Sequence, residues 1–368
     1  MVTTPTTPPV DHLCVDPNHR HGLGSGRAIY RTPDAIHRPL HVVTVLTNPI
    51  RYKTRWKHYQ RFAKHMIDSG VTLTTIEAAF GERDHALEEQ ARASIAGAGA
   101  CNADQPHQYI RLRLDHTRQQ ELWLKEALIN VAVSRLPWDW KYLSWIDADV
   151  MFLRPNWAGE VVHALQHYDF LQCYSQAQDL DPGYTAMGTR PGFVWAWEQG
   201  IEPPAGGYYY GGKHKRNGAF SGLAWACTRE AWDAVGGLMD GCITGAADWY
   251  MAWALIGRVA DVIPKGSHPG FRRHILDWQA RAEKHIRHNV GSITGTVAHM
   301  WHGRKADRKY IDRSKLLAEL DFDPRRDLKR DWQGLWQLVD HGTPRSLALR
   351  DQIRKWFRNR NEDALDVD

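Results

Sequence analysis

Residues 40–76 fix the kind of sheet this chain can build. Leu40–Thr47 (LHVVTVLT) is a short apolar, β-branched run that predicts a buried strand. Asn48 and Pro49 follow, a helix N-cap and a proline suited to the first helical position. Trp56, Tyr59, Phe62, Ala63, Met66 and Ile67 supply an apolar stripe, and Gly70 stops the helix. A second strand over 71–76 ends at Glu77. Strand, helix, strand at this spacing is a βαβ unit with a right-handed crossover, so an α/β architecture is predicted.

The rest of the chain continues the pattern. The polar, Ala-rich stretch 81–108 carries no clear period, and a long helix is predicted over 117–134. A strand at Tyr142–Ile146 precedes Asp147-Ala-Asp149. A helix over 157–165, a strand over 170–174 and a Gly- and aromatic-rich loop over 179–218 follow. Then come a strand (223–227), helices at Arg229–Val235 and 245–256, a basic segment at 268–290 and a last strand over 297–301. The tail from about 310 reads as two helices. The expected organisation is an N-terminal arm at 1–38, one main domain at 39–305 (halves 39–155 and 156–305), and a helical extension at 306–368. The first 38 residues, rich in Thr, Pro, His and Gly, read as flexible.

Composition narrows the class. Of 368 residues, 43% are hydrophobic and 24% charged, which excludes disordered and fibrous chains. No run approaches 18 apolar residues, so no helix is expected to span a bilayer, and MVTTPTTPPVDHL lacks the features of a signal peptide. Five scattered Cys without a CxxC pair argue against a disulfide scaffold or zinc ribbon. A cytoplasmic location is expected, host cytoplasm if the chain is viral. The 17 Trp fit either an aromatic core or flat-ring recognition of sugars or bases, and the charge of +5 hints at an anionic partner.

The segment WKYLSWIDADVMFLRP carries most of the chemical information. Ligands of open α/β sheets gather at the carboxyl ends of strands. In an extended Asp-x-Asp the two carboxylates point the same way, about 7 Å apart. Such a pair can hold a divalent cation together with a ribose or phosphate oxygen. A solvated turn is the plain alternative, but two hydrophobic runs flank the pair, and burying unpaired carboxylates is costly. Metal binding is therefore the favoured reading.

The order of a βαβ start, a strand ending in DxD, a Gly-rich block with an acidic helix start, and a late His-x-x-His resembles the GT-A-fold, metal-dependent nucleotide-sugar glycosyltransferases. The nearest likeness is the inverting branch that includes the β-1,4-galactosyltransferases, over roughly residues 40–305. The resemblance implies a GT-A-like, Rossmann-type mixed sheet flanked by helices and a UDP-sugar donor. It also implies that Asp149 binds Mn²⁺ or Mg²⁺ and that Asp147 contacts the donor nucleotide. NGAFSGLAWACT and AWDAVGGLMDGCITGAADWYM match the family's acceptor-side block, which makes Asp248 the catalytic base. Thr244 or Gly245 can cap that helix, placing Asp248 in its first turn where the dipole favours an anion. Thr-Gly-Ala-Ala-Asp stands where the family has Trp-Gly-x-Glu-Asp, so one carboxylate remains. In His299-Met-Trp-His302 the resemblance makes His302 the first choice of further metal ligand and His299 the second. Imidazole suits Mn²⁺ better than Mg²⁺.

Other candidates follow from position. Thr47, Asn48 and Arg51 come after the first strand, where the nucleotide binds in such folds, and Glu77 ends the second. Arg118, Lys125 and Asn130 lie on the helix before DxD, where a cation can meet the diphosphate. For the acceptor, Trp195, Trp197 and Tyr209 can stack on a ring. Lys213, Arg216, Arg272 and Arg273 add positive charge, with Trp278 beside the last two. Basic residues interleaved with aromatics fit a phosphate backbone, and equally a clamp on the donor diphosphate or a solvated helix face. The expected acceptor is a 5-hydroxymethylpyrimidine in double-stranded DNA. A polysaccharide or lipid-linked glycan is the alternative, and a non-catalytic glycan- or nucleic-acid-binding module the competing class.

Overall fold

The computed structural model describes residues 39–85, 107–115, 117–201, 218–308 and 312–367. The predicted βαβ unit forms, as β1 (Leu40–Thr47), α1 (Lys53–Asp68) and β2 (Thr72–Phe80). Next come β3 (Gln108–Leu114), α2 (Thr117–Gln120), α3 (Lys125–Val133), β4 (Tyr142–Ile146), β5 (Val150–Phe152) and α4 (Trp157–Ala164). The middle of the chain supplies β6 (Phe170–Gln172), β7 (Gln176–Leu180), β8 (Ala186–Pro191), α5 (Phe193–Glu198), β9 (Ala224–Thr228), α6 (Arg229–Val235) and α7 (Ala247–Leu255). Then follow α8 (Pro269–His285), β10 (Val290–Ser292), β11 (Thr296–His299), α9 (Asp312–Glu319), α10 (Pro324–Asp327), β12 (Leu328–Arg330), β13 (Trp336–Leu338) and α11 (Pro344–Arg358).

Seven strands make a mixed sheet in the order β10-β6-β9-β4-β1-β2-β3, with β9 antiparallel to both neighbours and the other pairs parallel. Alternation along β1 sends Leu40 and Val42 to one face and Val43 to the other. The first face packs on Tyr59, Phe62 and Met66 of α1 and Trp157 and Val161 of α4. The second packs on Leu128 of α3, Trp253 of α7 and Ile275 and Trp278 of α8. The expected α/β class, a mixed sheet flanked by helices, is what the chain adopts. A second sheet, β5-β11-β7-β8, sits beside it and carries the His299 strand.

Several local expectations change. Asn48 does not cap α1; its side chain accepts from Tyr52 N and donates to Tyr52 O, both at 2.8 Å, closing a turn in which Arg51 has φ 67°. The helix therefore starts at Lys53. The predicted helix over 117–134 is broken at 121–124, where Trp123 N donates to Ile243 O at 2.8 Å. β2 runs three residues past Glu77, because Ala78, Ala79 and Phe80 pair with Leu112, Arg113 and Leu114 of β3. The segment read as a loop from 179 forms β7, β8 and α5, since β7 finds a partner in β11 that sequence spacing does not reveal. Neither Thr244 nor Gly245 caps α7; Ala246 does so with φ 75° and without a side-chain bond. The extension is more than two helices, with β12 and β13 forming a two-stranded ribbon. Among the described residues no helix is long and apolar enough to cross a membrane. The N-terminal arm lies outside the described residues.

The connection from β5 to α4 is held by aromatic packing. The Phe152 and Trp157 rings stack at 3.8 Å, and Trp157 Nε1 donates to Ser69 Oγ at 3.0 Å. Trp157 is almost wholly buried, so Trp157→Ala is expected to cost about 3–5 kcal/mol, as for other buried aromatics. Urea unfolding measures this; a loss under about 1 kcal/mol contradicts the packing described.

Candidate functional site

A cleft opens at the carboxyl ends of β1 and β4, where Asp147, Ala148 and Asp149 form the turn into β5. Three backbone bonds fix that turn: Asp147 N to Leu223 O (2.8 Å), Val150 N to Asp147 O (3.2 Å) and Met300 N to Asp149 O (2.8 Å). The DxD strand is thereby tied to both the β9 approach and the His299–His302 segment. Thr47, Lys125, Asp147, Asp149, Asp248, His299 and His302 all line this cleft, so seven residues proposed from sequence meet in one place.

Asp149, His299 and His302 offer ligand atoms that all lie within 4.8 Å of one another. Asp149 Oδ2 is 2.8 Å from His302 Nδ1 and 3.8 Å from His299 Nε2. His299 Nδ1 bonds Asp179 Oδ1 at 2.9 Å, so Nε2 is the ring nitrogen turned to Asp149. Asp179 is in turn paired with Arg190 (2.9 Å) and Lys305 (2.5 Å). Burial alone raises its carboxyl, but His299, Arg190 and Lys305 outweigh this and lower it. Burial drops the His302 imidazole to about 4, so it is neutral at pH 7, the form in which it donates a lone pair to a cation. Burial also works against the Asp149 anion, yet the His302, His299 and His58 rings hold its carboxyl well below the usual range. Asp149 Oδ1 is buried and has no hydrogen-bond partner. That is costly for a carboxylate unless a cation takes the oxygen. Two imidazole nitrogens with a carboxylate fit Mn²⁺ better than Mg²⁺.

A second charged group sits across the cleft. Lys125 Nζ pairs with Asp147 Oδ1. Burial lowers Lys125, but Asp147, Glu126 and Asp248 reverse this and keep it protonated. Asp248, in the first turn of α7, presses on Gly222, where a Cβ would stand 2.6 Å from Asp248 Oδ2. Only glycine lets that carboxylate occupy its place.

The remaining candidates lie elsewhere. Asn48 closes its own turn, and Arg51 is exposed over the Trp56 ring at 5.6 Å. Glu77 is buried inside β2 and accepts from Tyr109 OH. Arg118 is exposed on α2, while Asn130 Nδ2 donates to Leu238 O at 3.0 Å. Trp195 and Trp197 are half-buried on α5 against the main core. Arg272 and Arg273 are on α8, outside the cleft lining, and Trp278 is a core residue whose Nε1 donates to Gly237 O. Tyr209, Lys213 and Arg216 lie outside the described residues.

Sequence reasoning missed Arg55, Trp123, Glu126, Arg308, Phe357, Arg360 and Glu362, which also line the cleft. The last four come from beyond residue 305, so the C-terminal extension is part of the site wall.

No protein-family model matches the chain, and no curated protein matches its sequence. Solved structures similar to it include Staphylococcus aureus TarS, at 9% identity and TM-score 0.38, covering 88% of this chain and 43% of TarS. Another is a Drosophila β-1,4-galactosyltransferase 7 mutant in complex with manganese, UDP-Gal and xylobiose, at 13% identity and TM-score 0.26, covering 58% of this chain and 59% of that one. A third is Mycobacterium tuberculosis glucosyl-3-phosphoglycerate synthase with Mg²⁺ and UDP, at 13% identity and TM-score 0.32, covering 82% of each. The chain thus spans less than two thirds of the first two, and all three are distant likenesses. The site is read from its own residues.

Glu126 gives a test of the cleft's electrostatics. Burial pushes its carboxyl up to about 8, with Lys125 opposing and Asp248 adding to the rise. Between its ordinary value near 4.5 and about 8, the folded chain keeps a proton that the unfolded chain has shed. Raising pH through that window therefore favours unfolding, by on the order of 1 kcal/mol per pH unit. Glu126→Gln removes this dependence, so urea unfolding at pH 5 and pH 8 is expected to show the variant gaining on wild type as pH rises. A difference that does not change with pH contradicts the buried neutral acid.

Proposed function

We propose that this chain is an inverting, divalent-cation-dependent glycosyltransferase that moves a hexose from a UDP-sugar to an acceptor hydroxyl. The observation that carries the reading is the convergence of Asp147, Asp149, His299, His302 and Asp248 on one cleft at strand ends. The uridine base and the inverted outcome rest on the sequence resemblance. A cation held by Asp149, His299 and His302, preferably Mn²⁺, supplies Lewis-acid neutralisation of the departing diphosphate.

The chain's own residues do the rest. Asp248 accepts the proton of the acceptor hydroxyl as its oxygen bonds to the anomeric carbon. The bond from that carbon to the diphosphate oxygen breaks, and its electron pair leaves with UDP. Lys125, fixed by Asp147, holds positive charge on the side of the cleft where the diphosphate lies. Gly222 keeps the base in position by leaving room for it. The acceptor is proposed no further than a hydroxyl compound, with 5-hydroxymethylpyrimidine in duplex DNA and simple glycans as the two arms of the screen. The basic and aromatic residues that favoured DNA lie on α5 and α8 outside the cleft lining, or outside the described residues.

Mass spectrometry of UDP-sugars incubated with the protein, Mn²⁺ and each acceptor class tests the reading. Asp248→Asn and Asp149→Ala are expected to lower transfer by at least about 100-fold, the usual scale for a general base or a metal ligand. Full activity in Asp149→Ala removes the metal-ligand role, and no donor consumed by the wild type with Mn²⁺ present removes the enzyme reading in favour of a binding module. Gly222→Ala gives a milder check. Its added methyl displaces the Asp248 carboxylate, so transfer should fall while Mn²⁺ affinity stays at the wild-type value. Equal losses in both contradict the role given to Asp248.

A further inference from the structure

The strap that follows α11 is built into the cleft rather than draped over it. Tyr52 OH donates to Phe357 O and Arg358 O at 3.1 and 3.2 Å. Asp363 accepts from Lys53 N and Thr54 N at 3.0 and 2.9 Å, covering the first turn of α1. Trp301 Nε1 donates to Ala364 O at 2.7 Å. Gly303 has φ 86°, and a Cβ there would stand 2.6 Å from Asn361 O and 2.8 Å from Glu362 Cα. The strap is thus seated on the segment that carries His302.

From it, Arg360 enters the cleft wall. Its guanidinium lies 5.2 Å from the centroids of both Trp123 and Trp356, and Nε donates to Glu362 Oε1 at 2.6 Å. Glu362 also accepts two bonds from Arg55, at 2.5 and 2.7 Å, so its buried charge is fully matched. The two indoles, whose centroids are 6.3 Å apart, flank one side of the guanidinium and help to orient it, and Arg is the side chain best shaped to meet phosphate oxygens. Beside it, Trp123 Nε1 is buried with no hydrogen-bond partner. An indole N–H can only donate, so this orphan asks for an acceptor from a ligand. A guanidinium and an indole N–H on the same stretch of cleft wall offer donors suited to an anionic oxygen.

We propose that Arg360 and Trp123 bind phosphate oxygens of a nucleoside diphosphate, making the C-terminal strap a working wall of the donor site. The inference rests on the donor reading given above. Binding by calorimetry on the full chain with Mn²⁺ present separates the parts, using UDP, uridine and inorganic pyrophosphate as probes. Arg360→Ala is expected to weaken UDP and pyrophosphate by about 10–100-fold, the scale of a charge-assisted hydrogen bond, and to leave uridine and Mn²⁺ affinity unchanged. Trp123→Phe, which keeps the ring and removes the N–H, should cost UDP about 3–10-fold. Arg360→Lys keeps charge without the planar fork and should fall between wild type and Arg360→Ala.

Unchanged UDP affinity in Arg360→Ala overturns the proposal, as does an equal loss for uridine. If Arg360→Ala does not fold, Arg360→Lys and Trp123→Phe decide, and wild-type UDP affinity in both overturns it. The two readings fail separately. A wild-type chain that transfers sugar while the variants bind UDP normally removes only the strap's role. A wild-type chain that binds pyrophosphate through Arg360 but consumes no donor removes only the transferase.

Discussion

Asp149, held in the turn after β4 with one carboxylate oxygen cut off from solvent, is the constraint around which this site is arranged. A carboxylate there is unstable without counter-groups, and the protein provides them from three distant stretches of chain. His302 bonds it directly, and His299 stands behind, aimed by Asp179, which is neutralised by Arg190 and Lys305. The pairing of β11 with both β5 and β7 sets this up, because it brings His299 opposite Val150 on one side and Asp179 on the other. One Asp149 oxygen is left over, buried and unmatched. A buried carboxylate oxygen left unpaired beside two imidazoles has the electrostatic form of a cation site.

The parts of the fold legible in sequence are those set by local pattern. The apolar run at 40–47 and the stripe of α1 specified the βαβ unit because both periods are visible within a dozen residues. Asp147 and Asp149 were legible for the same reason, an apolar strand followed at once by two acids. Asp248 and His302 needed the ordered set, and their placement in one cleft agrees with it.

What was not legible depends on contacts between distant segments. Asp179 fell in a stretch read as loop, and nothing in its neighbourhood shows that it pairs with a strand 120 residues later. Nothing in the local pattern singles out Glu126, which follows the break at 121–124 in the first turn of α3 and lines the cleft. Arg360 and Glu362 lie more than 300 residues from Arg55, and their role is invisible without the packing of the strap on α1. In the other direction, the basic helix α8 looked like an acceptor surface, yet Phe271, Ile275 and Trp278 show that its apolar face serves the core. Charge along a helix is read easily; the surface it faces is not.

Two features join these threads: the strap after α11 forms part of the cleft wall, and several of the acids there are paired with bases. Lys125 answers Asp147, Arg55 and Arg360 answer Glu362, and one Asp149 oxygen is left buried without a hydrogen-bond partner. We propose that a divalent cation supplies that partner. Anomalous diffraction from crystals grown with Mn²⁺ and UDP tests this most directly. The account predicts a manganese peak bonded by Asp149, His299 and His302. A nucleotide bound in the cleft with no metal there, or manganese held by other residues, would contradict it.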